Sequence, residues 1–390
     1  MRVYLDNGAT TPVEPRVLAA MERIGKEVFG NPSSLHREGV KAGVAVEGAR
    51  QTLAGAIGAR PEEIYFTAGG TEANNLALKG IFLRDPILRG HLIISAVEHA
   101  SVRETALWLQ SRGVALSVVP VDRQGRVDPL DVRSSFRADT RLVSILYGQN
   151  EVGTVQDIST IGALCRQAAV PLHTDACQGF TTLPLDVRSI SVDAVTLNAH
   201  KIRGPKGVGA LWVRSGVELA PLHHGGGQEG HLRGGTHNTP GIVGFGAAVS
   251  IALSEGVGPM TRLQARLFEG LITSGAIVLG CRSSRLPNNV SVRFPGTKGK
   301  HLFNELSRRG ICVSLGSACR SGDLAPNPTL VAMGLSASEA SEVVRLTLGR
   351  QNTEEEVDHV IREIHRIRED STGHDHAEGR DTPEEVGHEG

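Results

Sequence analysis

The chain has no C-x-x-C pair, no long apolar run, no excess of either charge, and very little lysine. Its five cysteines (Cys165, Cys177, Cys281, Cys312 and Cys319) are an odd number without paired spacing, so neither a disulfide framework nor a zinc ribbon is expected. No apolar run approaches the roughly 18 residues of a membrane span, and Met1-Arg2-Val3-Tyr4-Leu5-Asp6 is not a signal peptide. No membrane partner is expected, and the location expected is cytoplasmic. A formal net charge of −1 argues against a nucleic-acid-binding surface. Only 7 of the 41 basic residues are lysines, so a lysine at the mouth of a strand stands out. Lys201 is such a lysine.

The 390 residues, 40% hydrophobic and 21% charged, suffice for two domains with a large core. Strand and helix patterns alternate from Ile64 to Asp175, which predicts an α/β fold with a mainly parallel sheet covered by helices on both faces. Pro15 suits a helix start, and a second helix is expected over about Glu38 to Gly58 with Val40, Val44, Leu53 and Ile57 along one face. Gly256-Val257-Gly258-Pro259 breaks the periodicity and marks the best internal boundary. The expected division is a large domain over 14–256, a smaller α+β domain from 1–13 and 257–370, and a disordered tail over 371–390. That tail has almost no large apolar residues and is rich in His, Glu, Asp and Gly.

In an open parallel sheet, ligands sit at the carboxyl ends of the strands. Gly69-Gly70-Thr71, Glu98-His99, Gln149-Asn150, Asp175 and His200-Lys201 all fall at such ends. Gly69-Gly70-Thr71 opens a helix, whose free N–H groups and positive dipole end suit a phosphate. Asp175 closes an apolar strand, where a carboxylate needs a cation: a protonated pyridine nitrogen, or the guanidinium of an arginine. His99 can stack on a flat ring or move protons, or be a satisfied loop histidine. Ala194-Val195-Thr196-Leu197 delivers His200 and Lys201 into a turn with Gly204, Pro205 and Gly207. A lysine desolvated there becomes a nucleophile able to form a Schiff base, whereas one in an exposed hairpin loop does not. Together these are the parts of a pyridoxal phosphate site.

The residues also match a known family. Tyr4-Leu5-Asp6 with Ala9-Thr10-Thr11-Pro12, Thr71-Glu72-Ala73-Asn74-Asn75-Leu76, Glu98-His99, Asn150-Glu151-Val152-Gly153 and His173-Thr174-Asp175-Ala176-Cys177-Gln178 carry the match. It continues in His200-Lys201 to Gly207, Gly225-Gly226-Gly227-Gln228-Glu229, Gly235-Thr236, Gly316-Ser317-Ala318-Cys319 and Arg345 with Leu348-Gly349-Arg350. Over about residues 3 to 365 the chain resembles the NifS/IscS-like cysteine desulfurases, within the class V aminotransferases of the fold-type I, aspartate aminotransferase-like pyridoxal phosphate enzymes.

The resemblance implies a role for each matching residue. Lys201 would hold the cofactor as a Schiff base, Asp175 would pair with the ring nitrogen, and Gln178 with the ring hydroxyl. His99 would stack on the ring and help move protons. Thr71, His200 and Asn198, with the Gly70 turn, would hold the phosphate, and Thr236 would reach in from the other subunit of a homodimer. Asn150 and Arg345 would orient the substrate carboxylate, and Cys319, on a loop of the smaller domain, would be the nucleophile. No metal is implied. The reaction would take sulfur from L-cysteine, leaving L-alanine and a Cys319 persulfide that passes to a protein acceptor, an iron–sulfur scaffold or a sulfur carrier. A C–S or C–Se lyase such as selenocysteine lyase, or a class V aminotransferase, is the alternative, and Cys319 separates them because a transaminase needs no loop thiol. The chain departs from the family pattern at Asn198, where a Ser is frequent, and in its tail, which does not resemble the segment that docks an iron–sulfur scaffold.

Overall fold

The computed structural model describes residues 1–315 and 326–375. The chain opens with β1 (Val3–Tyr4), α1 (Pro15–Glu27) and α2 (Arg37–Ile57). Then come β2 (Ile64–Thr67), α3 (Gly70–Phe82), β3 (His91–Ser95), α4 (Ala100–Gln110), β4 (Ala115–Val119) and α5 (Pro129–Ser134). The series ends in β5 (Thr140–Ser144), α6 (Ile158–Gln167), β6 (Leu172–Asp175), β7 (Ala194–Asn198), β8 (Gly209–Val213) and α7 (Thr239–Glu255). These strands form a seven-stranded sheet in the order β2-β8-β7-β6-β5-β3-β4. All pairs are parallel except those of β8, which runs against both β7 and β2. The α/β architecture with a mainly parallel sheet is therefore the one expected.

The reversal of β8 follows from chain length. A parallel neighbour needs a crossover of about a dozen residues or more, and only residues 199–208 separate β7 from β8. Those residues make a broad turn instead, and it carries His200 and Lys201. The register Asp175↔Thr196 between β6 and β7 brings Asp175 and Asn198 to the same sheet edge. Strands β7 and β8 are buried at every position, so the turn leaves a rigid, dry base.

The rest of the described chain comprises α8 (Gly258–Thr273), β9 (Ile277–Val278), β10 (Asn289–Arg293), α9 (Gly299–Arg308), β11 (Ile311–Cys312) and β12 (Ser314–Leu315). It closes with α10 (Pro328–Ala332), α11 (Ala337–Ala340), β13 (Val343–Thr347) and α12 (Glu354–Asp375). A second sheet has the order β12-β13-β10-β9, and β1 pairs in parallel with β11. Val3 and Leu5 pack in one apolar cluster with Leu267, Val292, Leu346 and Ile364, so both ends of the chain share a core.

Three expectations need correction. Val40 and Val44 are exposed, whereas Leu53 and Ile57 are fully buried. A helix turns about 100° per residue, so the nine residues from Val44 to Leu53 rotate half a turn too far for a shared face. The buried face runs through Ala42, Val46, Ala49, Arg50 and Leu53. The strand expected over Ile311 to Ser314 divides at Val313, its halves pairing with β1 and β13. Finally, α12 continues through Asp375, so 371–375 extend the helix, and 376–390 lie outside the described residues. Among the described residues, no single helix is long and apolar enough to cross a membrane.

Candidate active site

The turn after β7 is laced to the N-terminal segment. Lys201 Nζ donates to the carbonyl of Gly8, and to that of Ala9 at 2.7 Å. Thr10 Oγ1 meets His200 Nδ1 at 3.2 Å, and Thr11 Oγ1 donates to the His200 carbonyl at 2.8 Å and accepts from Arg203 N at 2.9 Å. Burial pushes the Lys201 amine down to about 8, with the Arg345 charge acting the same way and Cys177, Asp6 and Asp175 opposing. About a tenth of that amine is unprotonated at pH 7, far more than for an ordinary lysine, as a nucleophile requires. His200 is pushed down to about 4 by burial and then by Lys201, Lys206 and His99, so it is a neutral imidazole.

Asp175 is 7% exposed at the end of β6. Its Oδ2 accepts from Asn74 Nδ2 at 2.7 Å, and its Oδ1 from the backbone N–H of Cys177 at 2.9 Å. Asn74 also donates to Ser101 Oγ at 2.7 Å, and Ser101 Oγ lies 2.8 Å from His99 Nδ1. His99 caps α4 by accepting from Ser101 N, so one short polar chain orients both the carboxylate and the imidazole. Asn74 sits inside a recognisable stretch of sequence and Ser101 just beyond one, and nothing in their local pattern marks these roles. Gln178 Nε2 donates to the same Gly8 carbonyl at 3.0 Å.

Gly70, Thr71, His99, Asn150, Asp175, Gln178, Asn198, His200 and Lys201 line one cavity of about 240 Å³. Nine of the expected site residues are thus brought together. Thr71 and His200 also border a wider cleft of about 950 Å³, with Lys206 on its wall. Gly70 is required by packing, since a Cβ there would meet Cys177 Sγ at 2.6 Å. Thr236 is exposed and does not line the cavity. Arg345 lies one cleft away, in a space of about 760 Å³ that shares Ala9, His99 and Asn150 with the cavity. Cys319 lies outside the described residues.

Sequence patterns gave no role to Glu98. It is 4% exposed, its Oε1 accepts from Ser95 Oγ at 2.5 Å and Leu146 N at 3.0 Å, and burial pushes it up to about 8. The residue beside His99 is therefore a neutral carboxylic acid at neutral pH.

The chain matches the aminotransferase class-V family over residues 3–360. It belongs to that family. Cysteine desulfurase IscS from Methanosarcina thermophila is 42% identical over 369 residues, covering 94% of this chain and 91% of that protein. A solved NifS-like protein superposes with a TM-score of 0.89 at 39% identity, covering 95% of this chain and 100% of the other. SspA, solved in complex with cysteine, superposes with a TM-score of 0.81 at 38% identity, covering 89% of this chain and 98% of the other.

Class-V aminotransferase chemistry uses pyridoxal phosphate, and this cavity fits it. The fit rests on a half-buried amine with a lowered pKa, a carboxylate fixed by two N–H donors at the same sheet edge, and the N-terminus of α3. Among the described residues, the buried side-chain oxygens Asn198 Oδ1 and Asn74 Oδ1 have no hydrogen-bond partner, and both residues line the cavity. Such atoms are costly in a dry site unless a ligand or water meets them.

Proposed function

We propose that this chain is a pyridoxal phosphate-dependent cysteine desulfurase, which converts L-cysteine to L-alanine and leaves the sulfur on Cys319 as a persulfide. One observation carries the reading most directly: a half-buried lysine amine with a lowered pKa shares a cavity with Asp175 and adjoins a cleft holding a buried arginine. Lys201 would hold the cofactor covalently, Asp175 its ring nitrogen, His99 its ring face and Gln178 its ring hydroxyl. The Gly70 turn, Thr71, Asn198 and His200 would hold its phosphate, with Thr236 contributed by a second copy of the chain. When bound, the cofactor supplies an electron sink that acidifies the α-proton of an amino acid.

The protein's own groups do the rest. Arg345 and Asn150 orient the substrate carboxylate. Lys201 Nζ accepts the α-proton, and burial, by disfavouring the ammonium form, keeps part of the amine unprotonated and ready for it. Cys319, as thiolate, attacks the substrate sulfur. The carbon–sulfur bond breaks, a sulfur–sulfur bond forms, and the carbon fragment takes a proton and leaves as alanine. We assign the large unit to 14–256 and the small unit to 1–13 with 257–370. A homodimer is supported by the exposed apolar residues Phe29, Leu35, Val40 and Val44, which fall in the segment before α2 and its first half. A protein thiol or scaffold takes the sulfur onward, and a free thiol calls for a reducing compartment, the cytoplasm.

Mass spectrometry after incubation with L-cysteine tests the reading. Added sulfur on the Cys319 peptide, absent in Cys319→Ala, is expected. Full alanine-plus-sulfide turnover by Cys319→Ala would instead show a lyase that needs no loop thiol.

A further inference from the structure

Glu151 bridges the two groups assigned above to the substrate carboxylate. Its Oε1 accepts from Asn150 Nδ2 at 2.6 Å, and its Oε2 lies 3.0 Å from Arg345 Nη1. The other arm of the guanidinium is tied down separately. Arg345 Nη2 donates to Asp6 Oδ1 at 3.2 Å and to Ser314 Oγ at 2.9 Å, and Ser314 Oγ donates to Asp6 Oδ1 at 2.7 Å. Asp6 is itself bridged to Thr347 on β13, so that side is fixed to the sheet. The Arg345 side chain is 8% exposed, too buried to stand without a partner, whereas that of Glu151 is 18% exposed and borders the cleft of about 760 Å³.

We propose that Glu151 stands in for the α-carboxylate of the substrate, occupying the seat formed by Arg345 and Asn150 at rest and giving it up when an amino acid binds. The proposal rests on the reading of Arg345 and Asn150 as carboxylate ligands. Exchange of one carboxylate for another keeps Arg345 paired throughout, and the displaced Glu151 turns into the water of the cleft. A thiol compound without a carboxylate gains nothing from displacing Glu151, so the seat selects for α-carboxylates. The tethered competitor also lowers apparent substrate affinity by the fraction of time for which the seat is free. Asp6 has the opposite part: it positions Arg345 and stays.

The test uses the holoenzyme in two measurements: steady-state kinetics with L-cysteine, and equilibrium titration with the product L-alanine followed by cofactor absorbance. Glu151→Gln keeps the side-chain shape and removes the charge from the seat. It is expected to lower KM for L-cysteine and Kd for L-alanine by about 3- to 10-fold, with a smaller change in kcat. Glu151→Ala is expected to shift both constants in the same direction, and Asp6→Asn to raise both. Constants that are unchanged or raised in both Glu151 variants would overturn the proposal and leave Glu151 as a second positioning group for Arg345. An Arg345→Ala variant with unchanged KM and Kd would instead remove the carboxylate seat itself. Wild-type holoenzyme that yields no persulfide from L-cysteine would remove the desulfurase reading.

Discussion

Arg50 and Arg345 are both largely buried and both meet carboxylates, in clusters built differently. Arg50 meets Glu229 in a two-pronged pair, 2.8 Å on each arm, and its guanidinium lies 4.7 Å from the centroid of the Phe66 ring. The remaining capacity of Glu229 is taken by Phe66 N at 2.6 Å and His237 Nε2 at 2.6 Å, and its side chain is 1% exposed. Arg50, Glu229 and His237 border a cleft of about 760 Å³, and Arg50 Nε also meets Glu47, whose side chain is 55% exposed, yet each Glu229 oxygen is held by two donors. Arg345 has its two arms on different carboxylates, Asp6 and Glu151, whose side chains are 22% and 18% exposed along an open cleft. The difference teaches how burial separates a strut from a seat. A carboxylate that is 1% exposed and held by two donors on each oxygen holds structure, and one that is 18% exposed and held by one donor on each oxygen can trade places.

The largest expected effect breaks the seat. Arg345→Ala should lower kcat/KM for L-cysteine by about 100-fold or more, the scale for losing one partner of a buried charge pair. Its melting temperature should stay near that of the wild type, because Asp6 and Glu151 can rehydrate in the cleft. A large melting shift with little change in kcat/KM would invert the comparison and make Arg345 the strut.

Glu229→Gln is the matching test of the strut, and its expected effect is on stability: about 2 kcal/mol lost in urea unfolding, since Arg50 keeps its charge with only the exposed Glu47 and the Ile64 carbonyl to meet it. The loop gives this cluster a task. Glu229, Gly230 and His231 take φ values of 48°, 59° and 66°, so three consecutive residues are left-handed and two of them are not glycine. Such a backbone persists only where its surroundings hold it, and the loop goes on to Thr236. Burial would raise the Glu229 carboxyl, but Arg50, His237 and Phe66 N hold it down to about 2. A carboxylate with a folded pKa below its unfolded value stabilises above the unfolded pKa. That contribution is present above about pH 4.5 and is lost as pH falls from there through 2. Glu229→Gln should flatten that part of the acid unfolding profile, and an unchanged slope would remove the assignment.

Legibility in the sequence follows the same division. Lys201, Asp175, His99 and Gly70 were readable because each sits at the end of a short strand, and strand ends in a parallel sheet converge whatever the connections between them. The Arg50–Glu229 pair joins positions 179 apart, one on a helix face that reads as apolar and the other in a glycine-rich loop. No local pattern links such a pair. The bridging position of Glu151 was hidden for another reason: Asn150-Glu151 is visible as a motif, but a two-residue motif does not say which neighbour its side chains face. The misread face of α2 came from joining two i, i+4 pairs that lie on opposite sides of the helix. The direction of β8 needed only the length of the turn after β7.

The smallest expected effect asks whether the two arginines differ in reach as well as in exchange. Arg345 is among the groups that push the Lys201 amine down, and Arg50 is not. Covalent capture of added pyridoxal phosphate by the cofactor-free protein depends on the unprotonated amine, so its rate should rise about fivefold from pH 7 to pH 8 and less than twofold further by pH 9, with a midpoint near 8. Removing a nearby positive charge makes protonation easier, so Arg345→Ala should move that midpoint upward, and the rate at pH 7 should fall. Glu229→Gln should leave the midpoint where it is. Stopped-flow absorbance at the protein-bound cofactor band measures all three proteins. An unmoved midpoint in Arg345→Ala would mean that desolvation alone sets the Lys201 amine, and that the seat and the anchor work without electrostatic contact.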